Sequence, residues 1–246
     1  MTPDTPAAVP ETASADDLRK LISSVRYVLW DLDGPICQLF AGRSAPEIAS
    51  RLVSSLAQDE QLELLPMAER LSKNPHAMLA GIGRRHPDTE QVVKLEEWLT
   101  GEELKAVGSA LETPHAEDVI QAWAGLGVRL AVSTNNSPRA ATAYLTAKGL
   151  DRFFAHVYGR TRDLDLMKPH PHSLLLALDA MKADPSEALM LGDAPTDYVA
   201  AQAADVPFLG YAHNFLKVRE FLQVGLEPSR IVRSLEEVWN VLGSQS

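Results

Sequence analysis

The run VRYVLW at residues 25–30 is apolar almost throughout and stops at Asp31, and no other feature restricts the fold of this chain as tightly. A strand with one wet face alternates apolar and polar side chains. A near-continuous run instead implies burial on both faces, as in a parallel sheet covered by helices. Similar runs recur at residues 128–133 (VRLAVS), 188–191 (ALML) and 206–209 (VPFL), with a weaker one at 156–158. Helical patterns separate them. Val119, Ile120, Trp123 and Leu126 share a helix face, Ser137 followed by Pro138 reads as an N-cap with proline in the first helical position, and Gly149 closes that helix. The alternation predicts an α/β fold, a doubly wound parallel sheet of right-handed βαβ units, in which ligands bind beyond the carboxyl ends of the strands. That rim receives Asp31, Thr134 and Asp193.

Residues 46–111 depart from this pattern. They carry helical spacings (Ile48, Leu52, Val53, Leu56; Leu62, Leu65, Met67; Val92, Leu95, Leu99; Leu104, Val107, Leu111) and no convincing strand. The expected organisation is a core domain from residues 21–37 and 112–246, interrupted by a helical cap over residues 38–111. Because the cap leaves the sheet just after Asp31-Leu32-Asp33-Gly34 and returns near Thr113-Pro114, it is expected to sit over the rim as a lid. Residues 1–20, rich in Pro, Thr, Ala and Asp and without apolar periodicity, read as a mobile leader.

A formal net charge of −10 disfavours nonspecific binding to nucleic acid or to anionic membrane, so a small anion would need a local positive site. The single cysteine, Cys37, cannot form an internal disulfide and reads as a small buried filler, and no stretch approaches the roughly 20 apolar residues needed to cross a bilayer. An intracellular, cytoplasmic protein is expected.

Four carboxylates stand out by position: Asp31 and Asp33 in DLDGP, Asp193 and Asp197 in GDAPTD, each pair beginning at the end of an expected strand. If the two strands are neighbours, these charges meet in one crevice and require a cation or protonation. Oxygen-only ligands, with no spaced His or Cys set, favour Mg²⁺ over Zn²⁺. Such a crevice suits phosphoryl transfer, with Lys168 and nearby backbone N–H groups adding positive potential. Asp31 could attack phosphorus, and Asp33 could protonate the leaving oxygen if neighbouring carboxylates hold its pKa up.

Four segments, in this order, resemble the motifs of the haloacid dehalogenase-like superfamily: DLDGP the first, LAVSTN the second, KPHP the lysine motif and LGDAPTD the acidic motif. The spacing resembles the branch with a type 1 helical cap, as in phosphoglycolate phosphatase and β-phosphoglucomutase. The resemblance implies that Asp31 forms an aspartyl-phosphate, Asp33 is the acid/base, Thr134 and Asn135 hold phosphate oxygens, and Lys168 steadies nucleophile and phosphate. It implies Mg²⁺ held by Asp31, the Asp33 carbonyl and Asp193, with Asp197 assisting directly or through water. Pro35 departs from the usual Thr or Val and removes a backbone N–H near the nucleophile.

The expected activity is a Mg²⁺-dependent phosphatase acting on a small phosphorylated metabolite of the phosphoglycolate or sugar-phosphate type. A phosphomutase and a noncatalytic binding or regulatory protein on the same scaffold remain as alternatives; oligomeric state is open. Outside the motifs, Arg84 and Arg85 are either solvated charges or contacts to a second anionic group of the substrate, and Arg43 is either a hinge residue or one that reaches substrate. The histidines show no metal-ligand spacing, and Trp98 and Trp123 read as core.

Overall fold

A computed structural model of the protein describes residues 12–244. In chain order its elements are α1 (Ala15–Ile22), β1 (Tyr27–Trp30), β2 (Cys37–Gln38), α2 (Ala45–Gln58), α3 (Pro75–Arg85), α4 (Glu90–Val107) and β3 (Leu111–Glu112). There follow α5 (Ala116–Gly125), β4 (Arg129–Ser133), α6 (Pro138–Ala147), β5 (Phe154–Tyr158), α7 (His172–Met181), β6 (Ala188–Gly192) and α8 (Pro195–Ala203). The last are β7 (Phe208–Tyr211), α9 (Phe215–Gln223), β8 (Ile231–Val232) and α10 (Leu235–Gly243).

Six strands form one parallel sheet in the order β5-β4-β1-β6-β7-β8, so the expected doubly wound architecture is the one observed. Its β1 is buried on both sides. Val28 and Trp30 join the apolar cluster under α1, α5, α6 and α10, while Leu29 joins the one under α7, α8 and α9. Trp30 meets Trp123 edge to face with centroids 5.6 Å apart, a geometry that adds about 0.5–1.5 kcal/mol beyond the area buried. Ser137 caps α6 ahead of Pro138, and Gly149 follows that helix at φ 66°, both as expected.

The register explains why distant residues converge. Trp30 is level with Val132 on one side and Leu191 on the other, so Asp31 emerges beside the ends of β4 and β6. The crevice at the point where strand order reverses therefore opens at Asp31.

Helices α2 to α4 share an apolar cluster that includes Ile48, Leu52, Leu79, Ile82 and Leu99, joined by Leu164 and Met167 from the segment just before Lys168. The chain enters and leaves this helical portion through β2 and β3, an antiparallel pair in which Cys37, fully buried, faces Glu112.

Several expectations need correction. The leader read as running to residue 20 is ordered from Ala13 onward: Ala13 N–H donates to the Ile231 carbonyl, Ser14 and Asp17 form a capping box, and Leu18 and Ile22 are buried. One i, i+4 apolar pair is too short a pattern to register as periodic, yet it docks a two-turn helix. The remaining part of that leader, residues 1–11, lies outside the described residues. The Leu62-Leu65-Met67 pattern is a short 3₁₀ turn with Met67 exposed, because Pro66 interrupts it. Leu111 is an exposed strand residue, since α4 ends at Gly108. Helix α3, which the apolar pattern did not reveal, starts at an Asn74 cap followed by Pro75.

Candidate active site

All of the expected site residues, Asp31, Asp33, Thr134, Asn135, Lys168, Asp193 and Asp197, line one crevice of about 630 Å³ at the carboxyl end of the sheet. Two glycines permit this crowding. A Cβ on Gly34, whose φ is 116°, would collide with the Asp193 carboxylate, and one on Gly192 would collide with that of Asp197. The turn after β1 closes through Ile36 N–H to the Leu32 carbonyl and Gly34 N–H to the Cys37 carbonyl, so Pro35 sits in it without a donor being needed there.

Lys168 is buried, and its Nζ lies 2.9 Å from Asp31 Oδ1, 2.6 Å from Asp197 Oδ1 and 2.9 Å from the Ser133 carbonyl. Asn135 clamps the lysine's main chain in both directions: its Oδ1 accepts Lys168 N–H at 2.7 Å and its Nδ2 donates to the Lys168 carbonyl at 3.0 Å. The Thr134 hydroxyl donates to Asn136 Oδ1 at 3.1 Å and accepts Asn136 N–H at 3.2 Å. Asp197 Oδ2 accepts the N–H groups of Asp193 and Ala194 at 3.1 and 3.0 Å, so it braces the turn into α8. The Asp33 carboxylate accepts Leu39 N–H at 2.8 Å.

Lys217, on α9, is a member that sequence reasoning missed. Its Nζ lies 3.0 Å from Asp193 Oδ2 and donates to the Asp193 carbonyl at 3.0 Å. No motif marks it; only the fold of β7 into α9 brings it there.

Four carboxylates thus face two ammonium groups, Lys168 and Lys217, leaving an excess of two negative charges. Burial raises the Asp31 pKa despite Lys168, with Asp197 and Asp193 adding to the rise. Asp33 is pushed up to about 7, first by burial and then by Asp193, and Asp193 to about 6, chiefly by burial against the pull of Lys217. Oxygens of Asp31, Asp193 and Asp197 lie within 4.8 Å of one another. A divalent hard cation fits this all-oxygen set and removes the charge excess.

The wall opposite the sheet is α3, which presents His76, Ala77, Ala80 and Arg84 to the crevice. Arg85 instead pairs with Glu69 at 2.8 Å, and Arg43 pairs with the buried Glu102 at 2.7 Å, away from the crevice. Trp123 is core as expected, and Trp98 packs half-buried against the helical cluster.

The family model of haloacid dehalogenase-like hydrolases matches residues 25–205. The chain belongs to that family. Among its relatives, phosphoglycolate phosphatase of Rhodospirillum rubrum is 32% identical over 204 residues, 77% of this chain and 80% of its own length. Phosphoglycolate phosphatase of Neisseria meningitidis is 27% identical over 241 residues, 91% of this chain and 96% of its own. The fold is similar to that of a predicted phosphatase from Clostridium acetobutylicum, with a TM-score of 0.66 at 19% identity, covering 89% of this chain and 99% of that one. It is also similar to CbbY from Rhodobacter sphaeroides in complex with phosphate, with a TM-score of 0.61 at 20% identity, covering 87% and 96%. As a haloacid dehalogenase-like hydrolase the protein is an enzyme, and no helix among the described residues is long and apolar enough to cross a membrane.

Proposed function

We propose that the protein is a Mg²⁺-dependent phosphatase that hydrolyses a small phosphate monoester, of which phosphoglycolate is the first candidate. The observation that carries this reading is the convergence of Asp31, Asp33, Asp193 and Asp197 with Lys168 in a single crevice. The names of the relatives supply the candidate substrate, and Arg84 on α3 offers a charge for its carboxylate.

Asp31, Asp193 and the main-chain carbonyl of Asp33 are the groups that would hold Mg²⁺. Both oxygens of Asp197 already have partners, which favours assistance through water. When bound, the ion would offset charge on the phosphoryl oxygens. An oxygen of Asp31 attacks phosphorus, the ester P–O bond breaks, and Asp33 gives its proton to the departing oxygen. Its raised pKa suits that task. Water then attacks the aspartyl-phosphate, Asp33 takes up a proton, and Asp31 is regenerated as inorganic phosphate leaves. Lys168, held by Asn135, keeps Asp31 in place and faces the phosphoryl group. Thr134 can turn its hydroxyl from Asn136 to a phosphoryl oxygen. A soluble, cytoplasmic enzyme acting on a free metabolite accords with this chemistry.

The test is release of inorganic phosphate from a panel of monoesters with and without Mg²⁺, and with no bisphosphate activator, using Asp31→Asn as control. Turnover of phosphoglycolate by the parent alone supports the reading. Absence of Mg²⁺-dependent release from every ester overturns it.

A further inference from the structure

A second buried ionic cluster stands behind the crevice wall, and the phosphatase reading leaves it unused. Glu103 on α4 is fully buried, and its Oε1 lies 2.7 Å from His76 Nε2 on α3. Its Oε2 accepts Ser137 N–H at 2.9 Å, just after the loop that carries Thr134 and Asn135. The Arg160 guanidinium, with its side chain wholly buried, donates to both oxygens at 2.7 and 3.1 Å. Arg160 also reaches Glu96 at 3.1 Å, Thr100 at 3.0 Å and the Asn135 carbonyl at 3.1 Å. One carboxylate therefore ties together two helices of the insert and the second-motif loop.

A purely structural tie between α4 and that loop needs only Glu103 and Arg160. It does not account for an imidazole that borders the crevice while one of its nitrogens is committed to a buried carboxylate. That hydrogen bond restrains the ring while the residue lines the crevice. Ala77 and Ala80, on the same α3 face, leave room between His76 and Arg84.

We propose that His76 contacts the non-phosphoryl part of the substrate, and that Glu103, held by Arg160, is the positioning residue that aims it. The proposal rests on the phosphatase reading and refines it: the favoured leaving group carries its own oxygen-bearing, anionic end, as a hydroxy acid does, within reach of the α3 face.

The test compares kcat and KM, with saturating Mg²⁺, for phosphoglycolate and for p-nitrophenyl phosphate, whose leaving group has no carboxylate. His76→Ala should lower the phosphoglycolate to p-nitrophenyl phosphate ratio of kcat/KM by about 10- to 100-fold, mainly through KM, as expected for a lost hydrogen bond to a charged group. Glu103→Asp, which keeps the charge but withdraws it from the ring, should shift the ratio in the same direction, and His76→Gln should recover part of the loss. The His76→Ala, Glu103→Asp double variant should lose no more selectivity than His76→Ala alone. Melting curves confirm that each variant is folded. A ratio unchanged within about threefold in folded His76→Ala, from a parent active on both esters, overturns the assignment and leaves the phosphatase reading intact. A parent active on p-nitrophenyl phosphate but not on phosphoglycolate overturns the assignment alone, and a parent inactive on every ester of the panel overturns the two together.

Discussion

In two of the places where the protein buries carboxylates, it treats them in opposite ways. In the crevice, Asp33 is pushed up to about 7 and Asp193 to about 6, first by burial. Burial alone would also raise Glu103, but Arg160 and His76 outweigh it and hold that carboxyl down at about 2. Burial is common to both, so the number and approach of cations decides. The Glu103 cluster supplies its own counter-charge and is complete, whereas the crevice keeps two lysines against four acids. A charge excess maintained at the cost of folding stability marks the place where a cation and an anion are expected to enter.

The largest effects should come from removing the central acid of each cluster. Asp31→Asn should lower kcat by on the order of 10⁴-fold or more, because no other group can form the covalent intermediate. Its metal-free melting temperature should be unchanged or higher, since the substitution relieves repulsion and Lys168 keeps Asp197 at 2.6 Å. Glu103→Gln should do the reverse to stability, costing about 3–5 kcal/mol by leaving Arg160 buried without full compensation. Denaturant titration of both variants checks the pair; comparable destabilisation by the two would dissolve the distinction.

The next effect is the sign of the pH dependence. An ordinary aspartate, as in the unfolded chain, titrates at 3.8, well below the folded values of Asp33 and Asp193. Between about pH 4 and 7 the folded, metal-free protein therefore holds protons that the unfolded chain has released, and its stability falls as pH rises. Mg²⁺ competes with those protons, so the melting-temperature gain on adding it should grow across that window. A gain independent of pH would count against metal binding at these acids. Glu103 behaves oppositely. Its contribution is fully present above its ordinary value of 4.5 and is lost as pH falls through about 2, so Glu103→Gln should flatten the acid limb of the stability curve.

How much of this was legible in the sequence follows the same division. Asp31, Thr134 and Asp193 sit at strand ends, and a parallel sheet brings strand ends together by rule, so reading them as one site required only the strand order, whereas Lys168 lies in the loop between β5 and α7 and was legible only through the resemblance of KPHP to the lysine motif. Lys217 escaped because its approach depends on where α9 starts after β7, which no local pattern encodes. The Glu103 cluster escaped for a stronger reason. His76, Glu103, Ser137 and Arg160 lie on four separate segments, and a charged residue on a helix reads as solvent-facing until tertiary packing turns it inward. Arg43 and Arg84 are both candidates for substrate contact in the sequence. Packing separated them, with Arg84 on the crevice wall and Arg43 on Glu102.

Glu102, next to Glu103 in the chain, provides the finest discrimination and the smallest expected effect. Its carboxylate is 1% exposed, like a buried one, but its three partners reach it from solvent: Arg43, Arg51 and Lys105 lie 2.7, 2.8 and 2.8 Å away with side chains 32%, 51% and 58% exposed. Together they outweigh burial and lower its pKa. If burial of the acid alone set the strength of such a pair, Lys105→Ala would cost as much as breaking the Glu103 cluster. If access of water to the cation governs it, the loss should be about 0.2–1 kcal/mol and should shrink further as salt is raised. Two arginines remain on Glu102 after the substitution, which also favours the smaller value. Measuring Lys105→Ala beside Glu103→Gln at low and high ionic strength separates these cases. A salt-insensitive loss of several kcal/mol at Lys105 would mean that solvent exposure of the cation is not what distinguishes the two neighbouring glutamates.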